Sequence, residues 1–255
     1  MAIDTTVTAP VRGTRGEPGA PTNVVRIPSI DALRGIAIVA MIAYHFCFDL
    51  RYFGITASDF YRDPFWLHAR TAILSSFLLL AGVSLALSEQ AQGGTARFWR
   101  HVARIAACAL AVSLASYLLF ARSYIWFGVL HAIAVSLVLI RPFATRPALA
   151  FAAGVAVIAT GIGWTSPHFD NRALGWVGFM TTKPVTEDYV PLFPWTGVML
   201  IGVAAGHALL GSRFVAIAPF ARVPRAVQWL GRHSLVVYMV HQPLLIGLVY
   251  LFTRA

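Results

Sequence analysis

Seven uninterrupted apolar stretches constrain this chain more than any other feature. They run approximately over residues 30–50, 66–88, 102–121, 124–140, 147–166, 190–210 and 230–252. Each is close to the ~20 residues that a helix rising ~1.5 Å per residue needs to cross hydrocarbon. The runs are continuously apolar rather than alternating, which argues against the strands of a membrane barrel. Composition agrees. Of 255 residues, 58% are hydrophobic and 12% are charged, about half the ~25% charge of a soluble domain. So little polar surface excludes a soluble enzyme, a disordered protein and a disulfide scaffold. The expectation is an all-α integral membrane protein, a single bundle of about seven transmembrane helices over residues 29–255.

Residues 1–28 are polar and rich in Thr, Pro, Gly and Arg. They have no apolar core, so they read as a disordered cytoplasmic tail rather than a signal peptide. With the N-terminus inside, the inner segments carry Arg12, Arg15, Arg26, Arg97, Arg100, Arg104, Arg141, Arg146, Arg213, Arg222, Arg225 and Arg232. The outer segments carry Arg51, Arg62, Arg70, Arg122, Arg172, Lys183 and Arg254. The positive-inside rule then predicts the N-terminus in the cytoplasm and the C-terminus outside. No run of Arg is interleaved with aromatic residues, so nucleic acid is not an expected partner; membrane lipids are. Cys47 and Cys108 both sit in apolar runs and read as small buried hydrophobes.

The first run carries the sharpest signal: Arg26-Ile-Pro-Ser29-Ile-Asp31-Ala-Leu-Arg34-Gly35, then Met41, His45 and Asp49. Ser29 is a candidate helix cap, and Asp31 suits a first turn. At ~100° per residue, eleven residues return His45 to within about 20° of the face of Arg34, roughly 16 Å along the axis. Asp49, four residues on, shares that face. Ionisable groups at membrane depth are costly and mark a cavity or a partner. A histidine beside a carboxylate is a ready general base, the carboxylate orienting the ring. The bland alternative is an Arg34 that snorkels and a His45 that bonds a neighbouring helix.

His131 lies in the fourth run. The last run opens Gly231-Arg232-His233-Ser234 and continues through Tyr238 to His241-Gln242-Pro243. Ser234, Tyr238 and His241 share one face, and His241 reaches the depth of His45, about 13 Å from Arg232. A kink at Pro243 is the alternative reason for His241 and Gln242. The sixth run begins Tyr189-Val-Pro191-Leu-Phe-Pro194-Trp195; Trp195 suits an interfacial belt. Gly82, Gly128, Gly197 and Gly202 suit close helix packing. No closely spaced metal ligands and no phosphate-cradling loop occur, so no metal is expected.

The first-run motif resembles the heparan-alpha-glucosaminide N-acetyltransferase catalytic domain family, in its short bacterial members. Phe77-Leu-Leu-Leu-Ala-Gly82, Phe127-Gly128-Val-Leu-His131, Val190-Pro191-Leu-Phe-Pro194-Trp195 and Gly231 through Pro243 extend the likeness over about residues 26–250. The related acyltransferase-3 family shares an Arg-Gly followed by a histidine, here Arg34, Gly35 and His45. The resemblance implies an acetyl group, or another acyl group, taken from cytoplasmic acyl-CoA and delivered to a sugar amine or hydroxyl on the far side. Arg34 would hold coenzyme A phosphates, with Asp31, Arg26, Arg232 and Ser234 at the same end. His45 would act as base, with Asp49, His241 and His131 around it; His68 is the other candidate base. Trp195, Tyr189 and Gln242 fall to the acceptor, expected to be a bacterial envelope glycan or glycolipid. The implied location is the bacterial inner membrane, crossed several times, and a homodimer is an open expectation. Two other classes remain: a transporter or proton-coupled channel built on the same polar stripe, and a non-catalytic membrane partner.

Overall fold

Prolines open three of the helices. Pro28, Pro64 and Pro147 stand at the first helical position, where a missing N–H leaves nothing unpaired and φ is already helical. The computed structural model describes residues 27–91 and 94–254. The element order is α1 (Pro28–Tyr52), α2 (Pro64–Gln90), α3 (Thr95–Leu119), α4 (Val129–Ile140), α5 (Pro147–Gly163), α6 (Arg172–Gly175), α7 (Leu192–Gly211), α8 (Arg225–Arg232) and α9 (Ser234–Arg254), with short 3-10 turns between them. Arg26 and nearly all of the expected tail lie outside the described residues.

Among the described residues five helices (α1, α2, α3, α7 and α9) are long and apolar enough to cross a membrane. The other two expected spans are shorter helices, 12 residues for α4 and 17 for α5. Helix α4 starts at Val129, not at 124, because the preceding segment is extended. Val190 N–H donates to the Phe127 carbonyl at 3.2 Å, and Glu187 N–H to that of Ser123 at 2.9 Å. The Asp188 carboxylate then caps the helix by accepting from Val129 N–H at 2.8 Å. A second difference lies at the other end of the chain. Gly231 and Arg232 belong to α8, and the backbone breaks at His233 before α9 begins. Ser29 does not cap α1; it is the second helical residue and is buried, while Asp31 does fall in the first turn.

Helix α7 is the centre of the packing. Gly82 and Gly202 let α2 and α7 meet backbone to backbone: a Cβ on either would run into a carbonyl of the other helix, Met199 or Leu79. Gly154 and Gly197 do the same for α5 and α7, where added Cβ atoms would lie 2.9 and 2.6 Å from the opposing carbonyls. Small residues at crossings are how helices associate in lipid, where apolar surface gains nothing by leaving the solvent. Gly128 serves differently, since a Cβ there would strike the Asp188 carboxylate rather than a helix. Between these crossings α7 and α4 share a buried hydrogen bond, Ser136 Oγ to Thr196 Oγ1 at 2.7 Å. The share of the apolar window buried is 44% in α7 and 11% in α9. Helix α9 leans mainly on α1.

Residues 164–191 fold back over the ends of α5 and α7. Ser166 N–H donates to the Phe179 carbonyl at 2.9 Å, and Leu192 and Phe193 N–H donate to Trp176 and Val177 at 2.9 and 2.8 Å. The rings of Trp164 and Phe193 each lie 4.6 Å from that of Phe179. Asp170 ties the segment by accepting from Thr181 N–H at 2.7 Å and from the Thr181 hydroxyl. The Thr181 hydroxyl and amide hold the Asp170 carboxyl below its ordinary range.

Candidate active site

The polar residues of α1 and α9 meet at the C-terminal half of α1. His45 and His241 have ring centroids 5.1 Å apart and planes inclined at 57°. One helical turn further on, Gln242 Nε2 donates to Asp49 Oδ1 at 2.8 Å. Asp49 is only 2% exposed and His241 7%. The hydrogen bonding of His241 fixes its tautomer: Nδ1–H donates to the Tyr238 carbonyl at 2.6 Å, so Nε2 keeps its lone pair. Three buried side-chain atoms in this cluster have no partner among the described residues: His241 Nε2, Asp49 Oδ2 and Gln242 Oε1. All three are acceptors in this arrangement. Buried polar atoms are otherwise almost always paired, because an unmet one costs about 1–3 kcal/mol. The cluster is therefore built to receive hydrogen-bond donors. Tyr44 stands over His45 with centroids 5.7 Å apart and reaches across to Phe60 and Trp66.

Arg34 sits eleven residues toward the other end of α1, half-buried. Its Nη2 donates to Ser84 Oγ on α2, its Nη1 lies 3.7 Å from Asp31 Oδ1, and Ser84 donates to the Leu80 carbonyl at 2.5 Å. The charges of Arg34 and Arg104 both act on His101, so the three lie at the same end of the bundle. Helix α8 lies against the same turn. A Cβ on Gly231 would collide with the Asp31 carbonyl, and one on Gly35 with that of Val227. Gly35 follows Arg34 because α8 needs the room. Arg232 and His233 are exposed beside it, and Ser234 opens α9.

The remaining candidates fall elsewhere. His131 accepts from Gly128 N–H through Nδ1 at 3.2 Å and meets Ser113 Oγ through Nε2 at 3.1 Å; Ser113 in turn donates to the Ile125 carbonyl at 2.6 Å. Both ring nitrogens are engaged in holding the start of α4. His68 is exposed, with Nδ1 2.5 Å from the Pro64 carbonyl in its own helix. Trp195 packs on the main apolar core. Tyr189 donates its hydroxyl to the Gly175 carbonyl at 2.6 Å and touches Trp126; burial and then the charge of Asp170 push its phenol up to about 12. Burial raises the Asp188 carboxyl, against the pull of Val129 N–H, Lys183 and Arg70. Among the described residues no three of His, Cys, Asp and Glu gather as a metal site would need.

Ser84, Ser113, Asp188 and Tyr44 were missed by the sequence reading. Ser84 left only a hydroxyl within an apolar run; its meeting with Arg34, fifty residues away, is tertiary. The others act through tertiary contacts with no local pattern.

The structure defines an α-helical membrane protein whose first and last helices bring His45 and the buried His241 side by side. Comparison with known proteins narrows the class. Residues 26–243 match the family described as heparan-alpha-glucosaminide N-acetyltransferase, catalytic, and the chain belongs to that family. It is thus a membrane protein of an acetyltransferase family, as the Arg26–Gly35 motif implied. Neither the curated proteins nor the solved structures give a significant match.

Proposed function

We propose that this chain transfers an acetyl group, or another short acyl group, from acyl-CoA in the cytoplasm to the amine or hydroxyl of a sugar beyond the membrane. The acceptor is a glycan or glycolipid of a bacterial envelope. The chain sits in the inner membrane with its N-terminus inside and crosses it about seven times, α4 and α5 included.

The observation that carries this reading is the acceptor-only cluster. The buried lone pair of His241 Nε2, with Asp49 Oδ2 and Gln242 Oε1 nearby on the same two helices, fits the hydrogens of an incoming amine or hydroxyl. His45 and His241 provide the base. The acceptor atom attacks the thioester carbonyl as its proton passes to an imidazole. The new C–N or C–O bond forms, the C–S bond breaks, and the imidazole returns the proton to the departing sulfur, which leaves as the free thiol of coenzyme A. General-base help of this kind is worth about 10²–10⁴-fold. Arg34, with Arg104 at the same end, supports the other half, since phosphates need positive charge at the end where acyl-CoA enters.

The test is transfer of radiolabelled acetyl from acetyl-CoA to a panel of amino sugars and envelope extracts by the purified chain. Wild type should label an acceptor, and His45→Ala and His241→Ala should each lose at least about a hundredfold. Equal labelling by wild type and both variants would refute the assignment of the base. Failure of wild type to bind acyl-CoA at all would refute the class of reaction.

A further inference from the structure

Residues 212–233 join two candidate spans, α7 and α9, and pack along the end of α1 that carries Arg34. The connection is built rather than loose. Arg213 and Phe214 take positive φ, 48° and 61°, a conformation that bulky residues adopt only where packing holds them. The turn seats Phe214 and Ile217 on the apolar cluster around Ile30 and leaves Arg213 exposed. The 3-10 stretch Val215–Arg222 then meets α8 at a corner. Gln228 Nε2 closes that corner by donating to the carbonyls of Ala221 and Val223 at 3.1 and 2.9 Å. Arg222 and Arg225 stand on either side of it, both exposed.

Helix α8 has two unlike faces. Val227 and Gly231, four residues apart, press on Gly35 and Asp31 of α1. At ~100° per residue, Arg225, Trp229 and Arg232 lie about 140–200° around from Val227, on the opposite side. All three are exposed, Trp229 by 50%. A tryptophan between two arginines on an outward face is how a helix lies in a membrane interface, the ring at headgroup level and the guanidinium groups toward phosphate.

Charge complementarity names the partner. Asp188 is the last acidic residue, so residues 189–255 contain five arginines and no Asp or Glu. Among the described residues none of Arg213, Arg222, Arg225 and Arg232 forms an ion pair. We propose that residues 212–233 form a collar that binds the phosphate headgroups of anionic phospholipids, with Trp229 seated between them. Through Val227 and Gly231 the bound headgroups bear on the turn of α1 that holds Arg34. The lipid contact does not depend on the acyltransferase reading.

The experiment is native mass spectrometry of the full chain in a neutral detergent, titrated with dioleoylphosphatidylglycerol or dioleoylphosphatidylcholine. One arginine at an anionic surface is worth about fivefold in affinity. Wild type should therefore prefer phosphatidylglycerol by about twentyfold or more, and Arg222→Gln/Arg225→Gln should lose about twentyfold for that lipid and nothing for phosphatidylcholine. Arg222→Lys/Arg225→Lys keeps the charge and should keep most of the preference. Trp229→Ala should weaken both lipids alike. Arg97 and Arg100, also exposed, open α3 outside the collar; Arg97→Gln/Arg100→Gln removes the same charge and should leave the preference in place. Unchanged thermal melting in detergent excludes misfolding as the cause.

Equal binding of the two lipids by wild type, or a preference that survives Arg222→Gln/Arg225→Gln, would overturn the proposal. An equal loss in Arg97→Gln/Arg100→Gln would overturn it too, since net charge alone would then explain the preference. So would displacement of phosphatidylglycerol by an equal concentration of acetyl-CoA, because the arginines would then be reading a soluble phosphate rather than a headgroup. Acetyl transfer is measured separately: a chain that never transfers acetyl but keeps the collar-dependent preference refutes the acyltransferase reading alone, and transfer without the preference refutes the collar alone.

Discussion

The contact between α8 and α1 predicts opposite effects for two apparently identical substitutions. Gly231 and Gly247 are both near helix ends or on exposed helices in the last quarter of the chain, and the sequence gives no reason to treat them differently. In the structure, a Cβ added to Gly231 would overlap the Asp31 carbonyl and would lie 2.7 Å from Gly35 N, whereas one added to Gly247 meets nothing within 4 Å. Ordinary van der Waals contact begins at about 3.4 Å. The obstructing atoms are backbone and cannot rotate away, so α8 must move off α1 by an ångström or more. Overpacking of this kind costs about 1–3 kcal/mol, and a rigid backbone neighbour puts Gly231→Ala toward the upper end. At about 2–4 °C per kcal/mol for a chain of this size, the melting temperature should fall by roughly 4–12 °C. Gly247→Ala has no such clash and relieves the helix of a flexible residue, so it should stabilise by about 0.5–1 kcal/mol. The assay is thermal unfolding in one detergent with the two variants side by side. Because the Asp31–Arg34 turn moves with α8, Gly231→Ala should also weaken acyl-CoA binding. A Gly231→Ala protein that melts with or above Gly247→Ala would refute the backbone contact on which the argument depends.

Two further outcomes follow from the loop and the cluster. Asp170 has its carboxyl held low by Thr181, so the bond stabilises the 164–191 segment above the ordinary carboxylate range and is lost as pH falls below about 4. The hydrogen-exchange protection factor of Thr181 and its neighbours, corrected for the intrinsic rate at each pH, should fall on acidification in wild type; in Asp170→Asn it should already be low at neutral pH and fall no further, and a wild type with pH-independent protection there would disprove the link. Gln242→Leu removes the hydrogen bond to Asp49 Oδ1 and leaves both carboxylate oxygens buried without a donor, which should cost about 1.5–3 kcal/mol; Asp49→Leu in the same background should recover most of it, and a double variant no more stable than Gln242→Leu would contradict the pairing.

How far this could be read in advance depended on whether the cause was local. The apolar runs are local, and each contains a helix. The spacing from Arg34 to His45 and Asp49 is local too, because a long helix keeps its angular order. That His241 stands against His45 was only a matching of depths; nothing in either segment specifies that α1 and α9 are neighbours. The early break before α9 was invisible because no proline marks it: His233 simply leaves the helical region after Gly231 has brought α8 onto α1. The late start of α4 had the same character. Residues 124–128 are apolar enough to extend the helix, and it is Asp188, about sixty residues away, that holds Val129 as the first turn. The cap over α5 and α7 joins residues far apart in the chain, by backbone hydrogen bonds such as Ser166 to Phe179 and Leu192 to Trp176 and by the Asp170–Thr181 contact, none of which a local pattern announces.

Helix α9 has a consequence of its own. It supplies His241 and Gln242, yet it is the candidate span that the rest of the protein encloses least, with 11% of its apolar window buried against 44% for α7. In a bilayer its exposed face would meet lipid. The tilt and depth of a helix held in this way follow bilayer thickness and the fit of its apolar length. The distance between the two imidazoles is then set by two bodies, the protein through α1 and the membrane through α9. The bilayer is in that sense one of the two supports of the histidine pair, and changing it is equivalent to a mutation made without touching the gene.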